Sequence, residues 1–411
     1  MKKFQDIEYN YEYDSNGNLI PESRIIIWLK QNVSILLRQL IGQSQINNTI
    51  SPFDVTTKTI EFLPELETIC RHLFPLLVYM RNEDEYAAAS MASYIFEQFT
   101  PFWSEVLLKE GKDILGLRLW EKVLDIIYKW EKSSNAKIHK GTPYFFLAEN
   151  YFLLGERDLA FHFLLNGEEE NRILGTRTKK GNYPWESPGY FFATMREGSQ
   201  MDPLMRRLRD YLNSFIIAFQ TEFSSTFSIQ NFDQKFLEDK SLTDIVIFFH
   251  YNFLYIYDSH VKTGTDYLEN DFSKLRGLDL FFNLALVIDE VLKILYLKYN
   301  SNLQIDHKMS DSIRWFCDHY NLMNQSDLMD YWGSKLKLKK SNPDIIIPRL
   351  LNKSDIYKGN KVPREVFTLL IALKFRNYGA HNIRQQSTVV TRYDDIVKNL
   401  LFSLFLSIEK L

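Results

Sequence analysis

Glycine and proline are scarce in this chain, at 16 and 12 of 411 residues, and cysteine occurs only twice. Set beside the abundant Leu, Ile, Phe, Tyr, Lys, Glu and Asn, that scarcity favours an all-helical chain. Cys70 and Cys317 are too few and too far apart for a disulfide framework or a zinc site, so neither a structural metal nor a cofactor is expected. A long apolar run is also missing. The most membrane-like stretch, Phe281 to Tyr299, is interrupted by Asp289, Glu290, Lys293 and Lys298 and does not span a bilayer cheaply. The first residues carry charges but no apolar core region, so they do not read as a secretory signal. A soluble, cytoplasmic protein is expected. With a net charge of −3, no global field draws nucleic acid, and any RNA contact must come from a local basic patch.

What the chain does have is hydrophobic content, 45%, enough for real cores in the two or three domains that its length suggests. Residues 1 to 22 read as a turn-bearing extension in which Asn16-Gly17 closes a short hairpin. From Arg24 onward Ile25, Trp28, Leu29, Val33, Leu36 and Leu37 recur at three and four, and further helical segments follow to about residue 132. The segment Tyr144 to Leu165 places Ala148, Tyr151, Gly155, Ala160 and Leu164 where a tetratricopeptide repeat sets its packing residues. Small residues let two helices approach and the glycine makes the turn. This resembles a TPR unit, and residues 1–240 are expected to form an all-helical, TPR-like sensing or recruitment domain.

Two polar stretches break the helical pattern. Residues 175 to 190 form a basic, aromatic, Gly/Pro-rich loop in which Lys179, Lys180 and Trp185 are candidate ligand residues, cations to hold phosphate beside a ring to stack a base. The competing reading is a surface connection packed by its own aromatics. Thr221 to Ser241 supplies the expected domain boundary near residue 240. Beyond it, helices are expected at about 242 to 259, 273 to 300, 309 to 337, 363 to 381 and 393 to 410, with residues 338 to 362 as an insert suited to a lid or partner surface.

Chemistry is concentrated in Arg376-Asn377-Tyr378-Gly379-Ala380-His381. Arginine offers a permanent planar cation matched to phosphate oxygens, and histidine titrates near neutrality. Those are parts for metal-free RNA cleavage, in which a base deprotonates the ribose 2′-hydroxyl and a cation stabilises the phosphorane. The segment resembles the R-N-x-x-x-H form of the Arg-x4-6-His motif of the HEPN superfamily, on the penultimate helix of a C-terminal bundle covering residues 241–411. Arg157 to His162 and Arg314 to His319 match the bare spacing too, so Asn377 and the helical context must discriminate. On an unbroken helix Arg376 would turn away from the apolar stripe of Val366, Leu370, Leu373 and Asn377, and His381 toward it; that pattern also suits a core histidine and a surface arginine. Gly379 favours a bend that would free His381.

The resemblance implies a metal-independent endoribonuclease with Arg376, Asn377 and His381 in a composite site shared by a homodimer of C-terminal domains, in a toxin or antiviral-defence setting. The N-terminal half lacks the alternating strands and Gly-rich phosphate turn of the Rossmann-like domain found in some HEPN effectors. An activator, an antitoxin protein or a nucleotide is the expected partner there. One alternative is a non-catalytic TPR/HEPN interaction protein that binds a protein partner or RNA. Another is a toxin silenced by an antitoxin or by modification of a motif residue such as Tyr378.

Overall fold

The computed structural model describes residues 85–97, 113–177, 202–261, 271–300, 307–378 and 391–411, with scattered positions between 67 and 82. Helix takes 82% of the described residues, and the one sheet among them is a two-stranded hairpin, so the chain is all-α. None of the described helices is long and apolar enough to cross a membrane. Two compact units divide the chain at residues 191 and 192. The boundary expected near residue 240 falls inside the second of them.

In the first unit α1 (Glu85–Glu97), α2 (Asp113–Ser134), α3 (Gly141–Leu153) and α4 (Arg157–Arg177) pack side by side. The α3–α4 pair follows the packing logic of its sequence. Ala148, Ala160 and Leu164 are fully buried between the helices, Tyr151 stacks on Phe163 at 5.4 Å, and Gly155 makes the turn at φ +80°. Trp120 of α2 stacks on Phe146 of α3 at 4.9 Å. A buried Lys140 amine, 2.9 Å from Glu131 and 3.0 Å from Glu170, fixes the start of α3. His162, which matches the bare Arg-x4-His spacing from Arg157, is exposed and hydrogen-bonds Asn166.

The second unit contains α5 (Asp202–Phe223), α6 (Thr243–Val261), α7 (Asp271–Tyr299), α8 (Met309–His319), α9 (Gln325–Asp330), α10 (Pro343–Asn352), α11 (Arg364–Tyr378) and α12 (Tyr393–Lys410). Helices α7, α11 and α12 pack on one another and form its centre. Both α11 and α12 are buried nearly all round: Val366, Phe367 and Leu369 to Ala372 show no exposed surface, and neither do Ile396, Leu400 to Phe402 and Phe405. A helix apolar on every side belongs in the middle of a core, not on its edge. Helix α5 joins the same core through Phe219, whose ring packs edge-on against Phe402 and Phe405.

The single helix expected over 309 to 337 is broken. Asn321 takes φ 55° and Asn324 restarts the chain by accepting from the backbone N–H of Asp327 at 2.9 Å, so α8 ends, α9 begins, and one π-turn covers Tyr331 to Lys335. The insert that follows is ordered by the same chemistry. Asn342 caps α10 with Pro343 in its first turn, and Lys358-Gly359 turns the hairpin of β1 (Ile356–Tyr357) and β2 (Asn360–Lys361).

Candidate functional site

Arg376 lies near the C-terminal end of α11 and points at the central helix of its own unit. Its Nε donates to Oδ2 of Asp289 on α7 at 3.1 Å, and its guanidinium sits 5.5 Å from the ring centroid of Phe282. Asp289 is only 2% exposed. Burial pushes its carboxyl above the usual carboxylate range, against the pull of Lys293 and Arg376. Lys293 stands 3.4 Å from the same Oδ2, while Oδ1 has no hydrogen-bond partner among the described residues. The pattern expected from one apolar stripe is therefore reversed: Arg376 is half-buried and held inward, and Asn377 is exposed. With α11 enclosed almost all round, the Arg376 side chain near its end is oriented by the carboxylate of Asp289. His381 and Gly379 lie outside the described residues, as do Lys179, Lys180 and Trp185.

Beside Arg376 opens a cleft of about 1350 Å³ within the second unit. Its walls come from five segments. Helix α7 gives Asp289 and Lys293; the start of α8 gives His307, Lys308, Asp311 and Arg314; α9 and the π-turn give Met329 and Trp332. The turn after them gives Lys337, Lys339 and Lys340, and α11 gives Lys374, Arg376 and Asn377. Eight Lys or Arg side chains thus meet two carboxylates.

Not all of those cations are available to a ligand. Arg376 and Lys293 are engaged by Asp289, and Arg314 pairs with Asp311. The Lys374 amine is buried and donates to the carbonyls of Leu338 at 2.9 Å and Ser341 at 2.8 Å; burial pulls it below the usual lysine range. Lys308, Lys337, Lys339 and Lys340 have no ion-pair partner among the described residues, and all four are exposed. Four such lysines lining one cleft, in a chain of net charge −3, make a local positive field suited to a polyanion.

In the sequence Lys339 and Lys340 read only as part of an insert, and Asp289 and Lys293 only as interruptions of an apolar stretch. Charge inside such a stretch was the available signal for the partner of Arg376. No sequence pattern brings Lys308 and Lys337 together, because the fold does that across the break between α8 and α9. Among the described residues, no three His, Cys, Asp or Glu side chains are placed to hold a metal ion. Comparison of the chain with protein-family models, with curated proteins and with solved structures found no match.

Proposed function

We propose that the chain is a metal-independent endoribonuclease of HEPN type, with its scissile phosphate bound where Arg376 and Asn377 meet the basic cleft. The observation that carries this reading is the cleft itself: four unpaired lysine amines gathered beside the one Arg-Asn pair that resembles a ribonuclease motif. In the proposed reaction the lysines bind flanking phosphates, and His381 takes the proton of the ribose 2′-hydroxyl. The 2′-oxygen then attacks phosphorus and the P–O5′ bond breaks, leaving a 2′,3′-cyclic phosphate and a 5′-hydroxyl. Arg376 stabilises charge on the phosphorane oxygens. Already fixed by Asp289, it need not be ordered at the moment of reaction.

A second imidazole must protonate the departing 5′-oxygen. A twofold homodimer would supply it as another copy of His381, since one imidazole does not serve as base and acid in the same step. The all-helical first unit would sense an activator or bind an antitoxin, in a cytoplasmic defence or toxin role. One observation favours a non-catalytic interaction protein instead: the bond to buried Asp289 gives Arg376 a structural reason to exist. The test is RNA incubated with the full chain in excess EDTA, with the products end-labelled. Cyclic phosphate ends, no cut in DNA of the same sequence and loss of cleavage in His381→Ala support the reading. Binding without cleavage under all activating conditions overturns it in favour of the interaction protein.

A further inference from the structure

Beside the basic cleft, on α7 and α8, two of the helices that line it, lies a cluster of half-exposed rings that the proposed reaction does not use. His307 lines the cleft, and its ring packs against Tyr296 of α7 at 4.5 Å. Tyr296 meets Trp315 of α8 edge-on at 5.3 Å, and Trp315 stacks on His319, one helical turn further along, at 4.9 Å and 17°. Tyr299 closes the group, 4.8 Å from His319. These rings differ from those of the core. Phe316 and Phe281 are 1% and 0% exposed, whereas Tyr299 is 52% exposed and His319 also faces solvent.

We propose that this aromatic shelf is a base-stacking subsite, and that the substrate is single-stranded RNA whose backbone runs along the cleft lysines while its unpaired bases lie on Tyr299 and His319. This inference rests on the reading that the cleft holds an RNA backbone. Three features favour this occupant. His307 both lines the cleft and packs on Tyr296, so the shelf begins inside the cleft that the lysines line and a strand can pass from one to the other. The exposed rings are Tyr and His, whose polar edges tolerate water when the site is empty while their faces stack on any base. A duplex offers no free base faces, because its bases already stack on one another. At the bare Arg-x4-His spacing of Arg314 and His319, the arginine is thus held by Asp311 and the histidine offers a stacking face, without an acid or base role.

The test uses the full chain carrying His381→Ala, so that bound RNA stays intact, and fluorescence anisotropy with a labelled oligouridylate of about 12 nucleotides. Tyr299→Ala and His319→Ala should each weaken binding by about tenfold, and Tyr299→Phe should keep it. Both positions are exposed, so the fold survives the changes. An abasic ribose-phosphate strand of equal length should bind more weakly than oligouridylate and be indifferent to all three changes. Unlabelled single strand should compete better than an RNA duplex. Unchanged affinity in both alanine variants, equal losses for the abasic strand, tighter binding of the duplex, or no binding to RNA at all overturns the proposal. Shelf-dependent binding by a wild-type chain that never cuts RNA leaves the subsite standing and removes the nuclease reading. Cutting with no dependence on the shelf does the reverse.

Discussion

The guanidinium of Arg376 and the carboxylate of Asp289 meet across 87 positions of sequence, 3.1 Å apart, with Asp289 almost wholly removed from water. One bond therefore holds together a structural and a proposed catalytic role, and the two are separable. Arg376→Ala should lower stability to urea by about 2 kcal/mol, less than the full loss of a buried pair because Lys293 still faces the carboxylate. Adding Asp289→Leu removes the stranded charge and should restore most of that stability while leaving RNA uncut. If the double variant regains both stability and cleavage, Arg376 has no part in the chemistry.

The turn lysines should act through charge alone. Replacing Lys337, Lys339 and Lys340 together with Gln should weaken RNA binding at low salt and make the slope of log affinity against log salt shallower by about 2, as loss of three phosphate contacts on a single strand requires. Titration of a labelled oligonucleotide across a salt series reads this directly. An unchanged slope would place the polyanion elsewhere.

Three histidines at the same spacing from an arginine should behave in three ways. His381→Ala should abolish cleavage of a fluorogenic RNA with little effect on folding. His319→Ala should raise KM and spare kcat. His162→Ala should change neither, since its exposed ring bonds Asn166 and rests against Phe163 on α4 and is not among the residues that line the cleft. Equal loss from all three substitutions would defeat the assignment of the motif.

Acid and alkali should act on different units. His250 on α6 is buried; its Nδ1 donates to the carbonyl of Val246 at 2.7 Å and its Nε2 has no hydrogen-bond partner among the described residues. Burial lowers its pKa to about 4. The unfolded chain takes up the proton near pH 6.5 and the folded chain only near 4, so stability of the second unit falls as pH drops through that window, by about 3 kcal/mol in total. His250→Gln should flatten that acid limb. Glu149 of α3 runs the other way. Burial raises it to about 7, so its contribution is intact below pH 4.5 and is lost as pH rises through 7, and Glu149→Gln should stabilise the first unit at pH 8 by a similar amount. Urea titrations from pH 4 to 8, with the unfolding of each unit followed by hydrogen exchange, check both signs.

The sequence pattern read helix class and most helix positions well, because apolar residues at three and four leave little choice of secondary structure. It read worst where a single polar side chain decides the backbone. The break between α8 and α9 depends on Asn321 and Asn324, and two asparagines in a helical pattern are easily taken for exposed surface. Facing was misread on α11 because a helix enclosed on all sides has no stripe from which to count, and the orientation of Arg376 then depends on Asp289, far away in sequence. The motif itself was legible as chemistry. The cleft beside it was not, since its lysines come from separate segments that only the folded chain assembles.

Lys374 joins the two ends of that arrangement. Its amine is bonded to the carbonyls of both Leu338 and Ser341, which bracket Lys339 and Lys340, while two residues further along the same helix Arg376 is bonded to α7. Turn and helix end are therefore one rigid piece. The backbone that carries the lysines is held at a set distance from the guanidinium, so under the proposed reading a strand gripped at one end would be measured off at the other, and the place where it met Arg376 would be set by geometry before any base was read.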